Sequence, residues 1–235
     1  MENLITDIQP REIFSAYVNA PFDKGKEILE EAGYHIISLQ ENARLRMQEG
    51  KDADISKYGN WVREGVLYVP EKGIFLTKDS PVMANPKEAT KCYKNRKDFY
   101  LTNEQVEQSL EDSVELIGKS IPTNRFGEDK ITVYAFGEDA KRYGEFLYEA
   151  GINEMPVWLT DIQDKPFARQ MWVCGLGDHQ RSGLNGNRGL GNSYRVRGVQ
   201  DSAEGTAKSF EAHTPTQMQK ALESSDLQKF HKVLP

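Results

Sequence analysis

The residues of this chain whose types and spacing suit chemistry lie together between Cys174 and Arg195. These 22 positions hold six glycines, three asparagines and three arginines, and they lack lysine, glutamate, methionine and tryptophan. Glycine and asparagine favour turns and destabilise helices, so we expect loops here. Because a long loop is uncommon in a compact domain unless it has a function, we predict that this segment is the functional surface.

Metal binding is the first chemistry to consider, because a thiol, a carboxylate and an imidazole lie close together at Cys174, Asp178 and His179. These groups are common zinc ligands. No paired cysteine or histidine spacing accompanies them, and the other cysteine, Cys92, is distant in the sequence. We therefore predict no metal site.

Phosphate binding is the second chemistry, because glycines let backbone amides approach an anion. The spacing of Gly186, Gly189 and Gly191 is not GxGxxG, the chain has no GxxxxGK[ST] motif, and no helix pattern follows. A nucleotide- or phosphate-binding enzyme with a glycine-rich loop is therefore an alternative hypothesis that lacks its usual signature. The sequence also shows no catalytic constellation, so we expect a binding protein and no enzyme.

Nucleic-acid binding is a further alternative, since arginine and aromatic side chains can grip a single strand. The residues concerned are Arg181, Arg188, Tyr194, Arg195 and Arg197. The chain has 36 acidic and 30 basic residues, and its net charge of −6 argues against a general nucleic-acid binder. Structural hydrogen bonds at a strand edge are the preferred interpretation of Arg195 and Arg197.

Three leucines, Leu176, Leu184 and Leu190, divide the segment. Their separations of eight and six residues are even, so extended backbone would turn all three to one side. We predict that they are buried anchors and that the small and polar residues between them face outward. Such residues supply the hydrogen bonds and ring contacts of recognition loops.

Strands are predicted on both sides of the segment, at Gln170 to Val173 and at Tyr194 to Val199. Capping boxes at Ser38-Leu-Gln-Glu41 and Thr102-Asn-Glu-Gln105 predict two helices, the first to about residue 48 and the second as far as Ile117. A hairpin is predicted at 66–77. Further helices are predicted at 22–32, 140–150 and about 215–232, and further strands at 34–37, 131–136 and 156–160.

Length and composition fit a globular chain with an ordinary core. Of 235 residues, 38% are hydrophobic and 28% are charged, and no run approaches the roughly 20 apolar residues of a membrane span. The stretch from Met1 to Phe14 lacks the basic head, apolar middle and cleavage site of a signal peptide. We therefore expect one domain in a cytoplasmic or virion-associated protein.

The pattern Trp172-Val173, then leucine-punctuated Gly, Asn, Asp, Ser and Arg residues, then Arg195-Val-Arg-Gly-Val199, resembles the variable region of a known family. The family comprises the variable proteins of diversity-generating retroelements, particularly archaeal and related forms. In these proteins, adenine mutagenesis changes asparagine-rich codons to codons for Asp, Gly, Ser, His, Tyr, Arg and Cys. That set nearly describes the segment.

The resemblance implies variable, ligand-binding positions on a constant scaffold. The variable, ligand-binding positions would be Cys174, Gly175, Gly177, Asp178, His179, Arg181, Gly183, Asn185, Asn187, Gly189, Gly191, Asn192, Ser193 and Tyr194. The scaffold positions would be Trp172, Leu176, Leu184, Leu190, Val196, Arg197 and Gly198.

The resemblance also implies a fold and a function. The fold would be α+β, of C-type lectin type with added helices, in a single domain over 1–235 with a variable region at about 172–199. The function would be non-covalent recognition of a macromolecular ligand, a protein, without a cofactor. The Glu-Pro-Asn and Trp-Asn-Asp calcium motifs of sugar-binding lectins are absent from the sequence, so calcium-dependent carbohydrate binding is not implied.

Overall fold

The computed structural model of this chain describes residues 5–6, 13–177, 181–191 and 193–201. The chain divides into two compact units, one of residues 1–7 and 15–199 and the other of residues 8–14 and 200–235. The first unit contains the segment from Cys174 to Arg195. The helix predicted at about 215–232 lies outside the described residues, and no described helix is long and apolar enough to cross a membrane.

Strands occur along the whole described chain. Their bounds are β1 (Ile5–Thr6), β2 (Ile13–Ala20), β3 (His35–Ile36), β4 (Asn60–Val69), β5 (Gly73–Thr77), β6 (Phe99–Tyr100), β7 (Ser113–Glu115), β8 (Ser120–Pro122), β9 (Glu154–Trp158), β10 (Phe167–Val173), β11 (Leu184–Asn185) and β12 (Tyr194–Asp201). The described helices are α1 (Phe22–Glu31), α2 (Leu39–Glu49), α3 (Asp54–Lys57), α4 (Pro81–Ala84), α5 (Pro86–Lys94), α6 (Asn103–Glu111), α7 (Lys130–Phe136) and α8 (Ala140–Glu149).

One mixed sheet connects most of these strands, in the order β1-β2-β12-β4-β10-β11-β9-β8. β4 and β10 run antiparallel to each other, and β12 lies parallel to β4 with Val196 beside Trp61. β12 is therefore an internal strand, not the edge strand expected for Arg195 and Arg197. β5 forms the predicted hairpin with β4.

Both predicted capping boxes are present, and they explain where α2 and α6 begin. The Ser38 hydroxyl accepts a hydrogen bond from the Glu41 amide at 3.1 Å, and the Glu41 carboxylate accepts one from the Ser38 amide at 2.7 Å. Thr102 and Gln105 exchange the equivalent bonds at 3.3 and 2.9 Å. Each box satisfies two amides that the first helical turn leaves without partners.

The prediction of a strand at 131–136 is wrong, since these residues belong to α7. The Asp129 carboxylate accepts hydrogen bonds from the Ile131 and Thr132 amides, at 2.9 and 3.3 Å, and so caps a helix. The buried side chains recur at helical spacing, at 131, 132, 135 and 136. The β-branched residues favour a strand locally, but the cap and this buried face outweigh that preference.

The helix predicted as far as Ile117 is wrong in its second half. α6 ends at Glu111, and β7 follows and pairs with β5 through Phe75 and Glu115. A short apolar run is compatible with both the helical and the strand period. Here the edge of β5 accepts the run as a strand, so a contact that is remote in the sequence decides the structure.

The core beneath the segment is aromatic and centred on Trp61, which is fully buried in β4. Its ring packs edge-on against the rings of Phe22, Trp172 and Tyr194, at centroid distances of 6.1, 5.1 and 6.4 Å. Edge-to-face pairs add to the free energy gained by burial. These rings fix the positions of β10 and β12, from which the segment leaves and to which it returns.

Candidate functional site

Two of the three leucines predicted as buried anchors hold the segment between β10 and β12, and the prediction is wrong for Leu176, which is only half-buried. Leu184 and Leu190 are fully buried, and Leu184 pairs with Val173 between β11 and β10. Leu176 is half-buried, and its amide donates a hydrogen bond to the Ser56 carbonyl oxygen at 2.7 Å. Complete burial of a leucine side chain stabilises a fold by about 1.5–3 kcal/mol, so the two buried leucines define the path of the backbone.

The small and polar residues between the leucines differ in exposure. The exposed ones are Gly177, Arg181, Asn187, Gly189 and Ser193, and the half-buried ones are Asn185, Arg188, Gly191 and Tyr194. Asp178, His179 and Asn192 lie outside the described residues. The exposed group is therefore spread along the segment, between its anchors.

Three residues expected to face outward are buried instead: Cys174, Gly175 and Gly183. A Cβ atom on Gly175 would lie 2.3 Å from the Lys57 carbonyl oxygen, and one on Gly183 would lie 2.2 Å from the Trp158 ring. Close packing leaves no room for either atom without a shift of the neighbours. These positions therefore belong to the packed frame and present no side chain to solution.

Burial raises the pKa of the Cys174 thiol to about 11. The thiol is therefore protonated at neutral pH, whereas the thiolate is the form that ligates metals and reacts as a nucleophile. Within the part of the chain that the structure describes, no three His, Cys, Asp or Glu side chains come close enough to hold a metal ion.

The residues expected as scaffold on β10 and β12 are buried: Trp172, Val196, Arg197 and Gly198. Arg197 donates hydrogen bonds to Ser15 Oγ at 2.8 Å, to Asn60 Oδ1 at 3.2 Å and to Asp54 Oδ1 at 2.6 Å. Charge-assisted bonds of this kind are the strong ones in proteins. Arg197 thus ties β12 to β2, to the start of β4 and to α3.

A groove of about 370 Å³ lies beside the segment. We call it the arginine–aromatic groove, because half of its lining residues are arginine or aromatic. Its lining residues are Asn19, Lys57, Tyr58, Gly59, Trp172, Gly177, Arg188, Ser193, Tyr194 and Arg195. The groove therefore joins residues of the predicted surface to residues near the start of β4 and the end of β2.

Arg188 lies across two rings of the groove. Its guanidinium carbon is 4.8 Å from the centre of the Trp172 ring and 4.9 Å from the centre of the Tyr194 ring. The two rings are inclined at 58° with centroids 5.4 Å apart. An arginine stacked on aromatic rings is attracted by their π faces and keeps its N–H groups in the plane of the guanidinium.

Arg195 has a different environment, between the rings of Tyr17 and Tyr58. Its guanidinium carbon is 4.4 Å from the first ring centre and 3.9 Å from the second. The guanidinium also donates a hydrogen bond to Asp54 Oδ1 at 2.5 Å, the same oxygen that accepts from Arg197. Arg195 is therefore already neutralised, and it acts as a wall of the groove.

The groove is positively charged although the chain is acidic. Lys57 and Arg188 line it together with Arg195, which is paired with Asp54, and none of the described aspartates or glutamates is among its lining residues. The whole chain has a net charge of −6. A concave surface lined by one sign of charge concentrates ligands of the opposite sign.

Four lining residues were missed by sequence reasoning: Asn19, Lys57, Tyr58 and Gly59. They lie far from 172–199 in the sequence, and the position of β12 between β2 and β4 in the sheet brings them to the segment. No local pattern marks them. The exposure of Tyr58, at 52%, is unusual for a large aromatic side chain, but it becomes visible only in three dimensions.

No protein-family model and no curated protein matches this chain. Its structure is similar to a solved structure with the C-type lectin fold. That structure is described as showing how this fold accommodates massive sequence variation in Nanoarchaeota. The TM-score is 0.62 at 19% sequence identity, and the match covers 83% of this chain and 100% of the other. The fold predicted from the sequence is confirmed: this chain has an α+β architecture of C-type lectin type with added helices.

Proposed function

We propose that this chain is a ligand-binding protein whose surface at 172–199 is diversified by a retroelement and recognises a protein target. The observation that carries the proposal is the division of the segment into buried anchors and exposed positions. Leu184 and Leu190 are fully buried, whereas Asn187 and Ser193 are exposed. Side chains at the exposed positions can change without loss of the packed frame, so specificity can vary on one fold.

The glycines of the segment support the same division. A Cβ atom on Gly177 would have no neighbour within 4 Å, and one on Gly189 would meet only the Tyr93 ring at 4.0 Å. Both positions therefore have space for larger side chains. Gly183 and Gly175 have none, so we assign them to the constant frame.

The similar Nanoarchaeota structure supports the retroelement part of the proposal, because its description concerns sequence variation on this fold. We further propose that binding is non-covalent and needs no cofactor, and that residues 1–235 form a single lectin-type domain. A genomic observation tests the origin of the variation. We expect a nearby reverse transcriptase gene and an imperfect copy of codons 172–199 that differs mainly at adenines.

A library experiment tests the structural part of the proposal. Positions 177, 181, 187, 189 and 193 are randomised together, and folded yield and melting temperature are measured for the variants. We expect most variants to fold with nearly unchanged melting temperature, because surface substitutions usually change stability by only about 0.5 kcal/mol. A matched library at 175, 183, 184 and 190 is expected to yield mostly unfolded chains.

The binding part is tested by selecting the first library against a protein panel. We expect different library members to bind different proteins. If the two libraries tolerate substitution equally, or if every binder attaches through a surface outside 172–199 and the groove, the proposed function is wrong.

A further inference from the structure

We propose that the arginine–aromatic groove receives a carboxylate side chain of the protein target, and that the Arg188 guanidinium is the group that contacts it. This inference rests on the proposed binding function and names the chemistry of the partner. The partner segment would carry an aspartate or glutamate that enters the groove, next to residues that cover its rim.

The distribution of ion pairs among the arginines of the segment singles out Arg188. Arg181 pairs with Glu154 at 2.7 Å, and Arg195 pairs with Asp54 at 2.5 Å. Arg188 forms no ion pair with a carboxylate of the described residues. Among the three arginines of the segment, Arg188 is therefore the one that has no carboxylate partner among the described residues.

The position of Arg188 suits a carboxylate. Its guanidinium carbon lies 4.8 Å from the centre of the Trp172 ring and 4.9 Å from the centre of the Tyr194 ring. Stacking leaves the edge of the guanidinium, with its N–H donors, available for two parallel hydrogen bonds. Stacking also restricts the side chain before the ligand arrives, so less conformational entropy is lost on binding.

The second cation of the groove adds to this preference. Lys57 lines the groove and pairs with no carboxylate of the described residues. Its ammonium group adds a flexible positive charge near the stacked arginine. No described residue of the lining is acidic, and the nearby Asp54 carboxylate is already paired with Arg195 and Arg197, so Lys57 and Arg188 attract an incoming carboxylate.

A protein ligand fits these observations better than a single-stranded nucleic acid. Nucleobases bind by stacking on open aromatic faces, but Trp172 is 5% exposed and Arg188 lies over it. Arg195 in turn lies over both Tyr17 and Tyr58. A groove of about 370 Å³ also has the size for one or two side chains and does not form an extended basic track.

Selection from an unbiased peptide library tests the inference. Randomised peptides of about 12 residues, long enough to bury a small interface, are displayed on phage and selected against the full chain. We expect the enriched peptides to share an aspartate or glutamate at one position. Replacing that residue by asparagine or glutamine should weaken binding about tenfold or more, because a charge-assisted contact is lost. Raising the salt from about 0.1 to 0.5 M should also weaken it.

Protein variants locate the contact. Arg188→Gln should weaken binding about tenfold, and Arg188→Lys should restore part of the loss. Arg125→Gln is the control that should change little, since Arg125 lies outside the groove and its carboxylate partner, Glu128, is in the same chain at 3.0 Å. The amide substitution in the peptide tests the same contact without any risk to folding of the protein.

The outcomes separate this inference from the proposed function. Enriched peptides without a shared carboxylate, or with equal affinity for Arg188→Gln, overturn the inference. The variant Ser193→Arg places a larger side chain at the exposed groove residue Ser193 and tests the surface itself. If it blocks these peptides, the proposed binding surface stands. Peptides that ignore Ser193→Arg as well overturn both. A fluorescent oligouridylate that binds the chain and is lost in Arg188→Gln would assign the groove to nucleic acid instead. Failure to enrich any peptide over an unselected library also counts against the inference.

Discussion

The Nη2 atom of Arg46 donates a hydrogen bond to the Cys174 carbonyl oxygen at 2.7 Å, across 128 residues of sequence. Arg46 is fully buried in α2. Its other donors reach Tyr143 Oη and Ser182 Oγ, both at 2.9 Å, and the Ile55 carbonyl oxygen at 3.2 Å. One arginine thus holds the backbone where the segment leaves β10 and where it returns toward β11.

We expect Arg46→Ala to lower the free energy of unfolding by about 3 kcal/mol or more, because four buried acceptors lose their donor. Urea denaturation measures the change. Arg125→Ala is the control. Its ion pair with Glu128 is exposed at both residues, so we expect a loss below about 1 kcal/mol. Equal losses would show that Arg46 has no special role.

The same substitution should lower the melting temperature at one glycine of the segment and leave it unchanged at another. Gly183→Ala would place a Cβ atom 2.2 Å from the Trp158 ring, whereas Gly177→Ala would place one in open space. Overpacking of this kind costs about 1–3 kcal/mol, so we expect a lower melting temperature for Gly183→Ala alone. A calorimetric scan of both variants checks this, and an unchanged Gly183→Ala would contradict the assignment of this position to the frame.

Asp54→Asn should loosen the wall of the groove. The Asp54 carboxylate accepts from both Arg195 and Arg197, and Arg197 is 2% exposed. Loss of the shared negative charge leaves two neighbouring cations, one of them buried, without their common partner. We expect a loss of about 1–3 kcal/mol in stability, with allowance for the exposure of Asp54. Asp79→Asn, at the exposed Arg63–Asp79 pair, is the control.

Glu64 predicts a specific dependence of stability on pH. Burial raises the pKa of this carboxyl to about 8, from an ordinary value of 4.5. Because the folded-state pKa is the higher one, the stabilisation is fully present below about pH 4.5 and is lost as the pH rises through about 8.

We therefore expect Glu64→Gln to flatten this decline, since glutamine keeps an acceptor for the Leu39 amide, which now donates to Glu64 at 2.9 Å. Urea unfolding at about pH 5, 7 and 9 compares the two chains. The advantage of the variant should grow with pH. A constant difference across this range would mean that Glu64 does not titrate there.

Local signals predict much of this fold. The capping box at Ser38 and Glu41 identifies the start of α2 because both partners lie within one helical turn. Long-range signals are absent from the sequence, so it does not reveal that 113–115 joins β5 or that 131–136 is helical. In these cases pairing with distant strands and burial of one face outweigh local preference.

The candidate site is predictable to a similar extent. The even spacing of Leu184 and Leu190 indicates a shared direction, and both side chains are buried. The burial of Cys174 does not follow from the glycine- and asparagine-rich sequence around it, because it depends on packing below β10. The contribution of Tyr58 and Lys57 to the groove also depends on the tertiary crossing of β12 and β4.

The position of Lys57 and Tyr58 outside 172–199 has an evolutionary consequence. If a retroelement rewrites only that stretch, as proposed, then every variant keeps Lys57 and Tyr58 in the groove wall while the residues of 172–199 opposite them change. Four of the ten lining residues of the groove would then change only at the rate of ordinary replication, while the other six lie in the stretch that the retroelement rewrites. All variants would then share a preference for acidic protein surfaces. A single substitution at Lys57, which diversification does not reach, would change that preference in every variant.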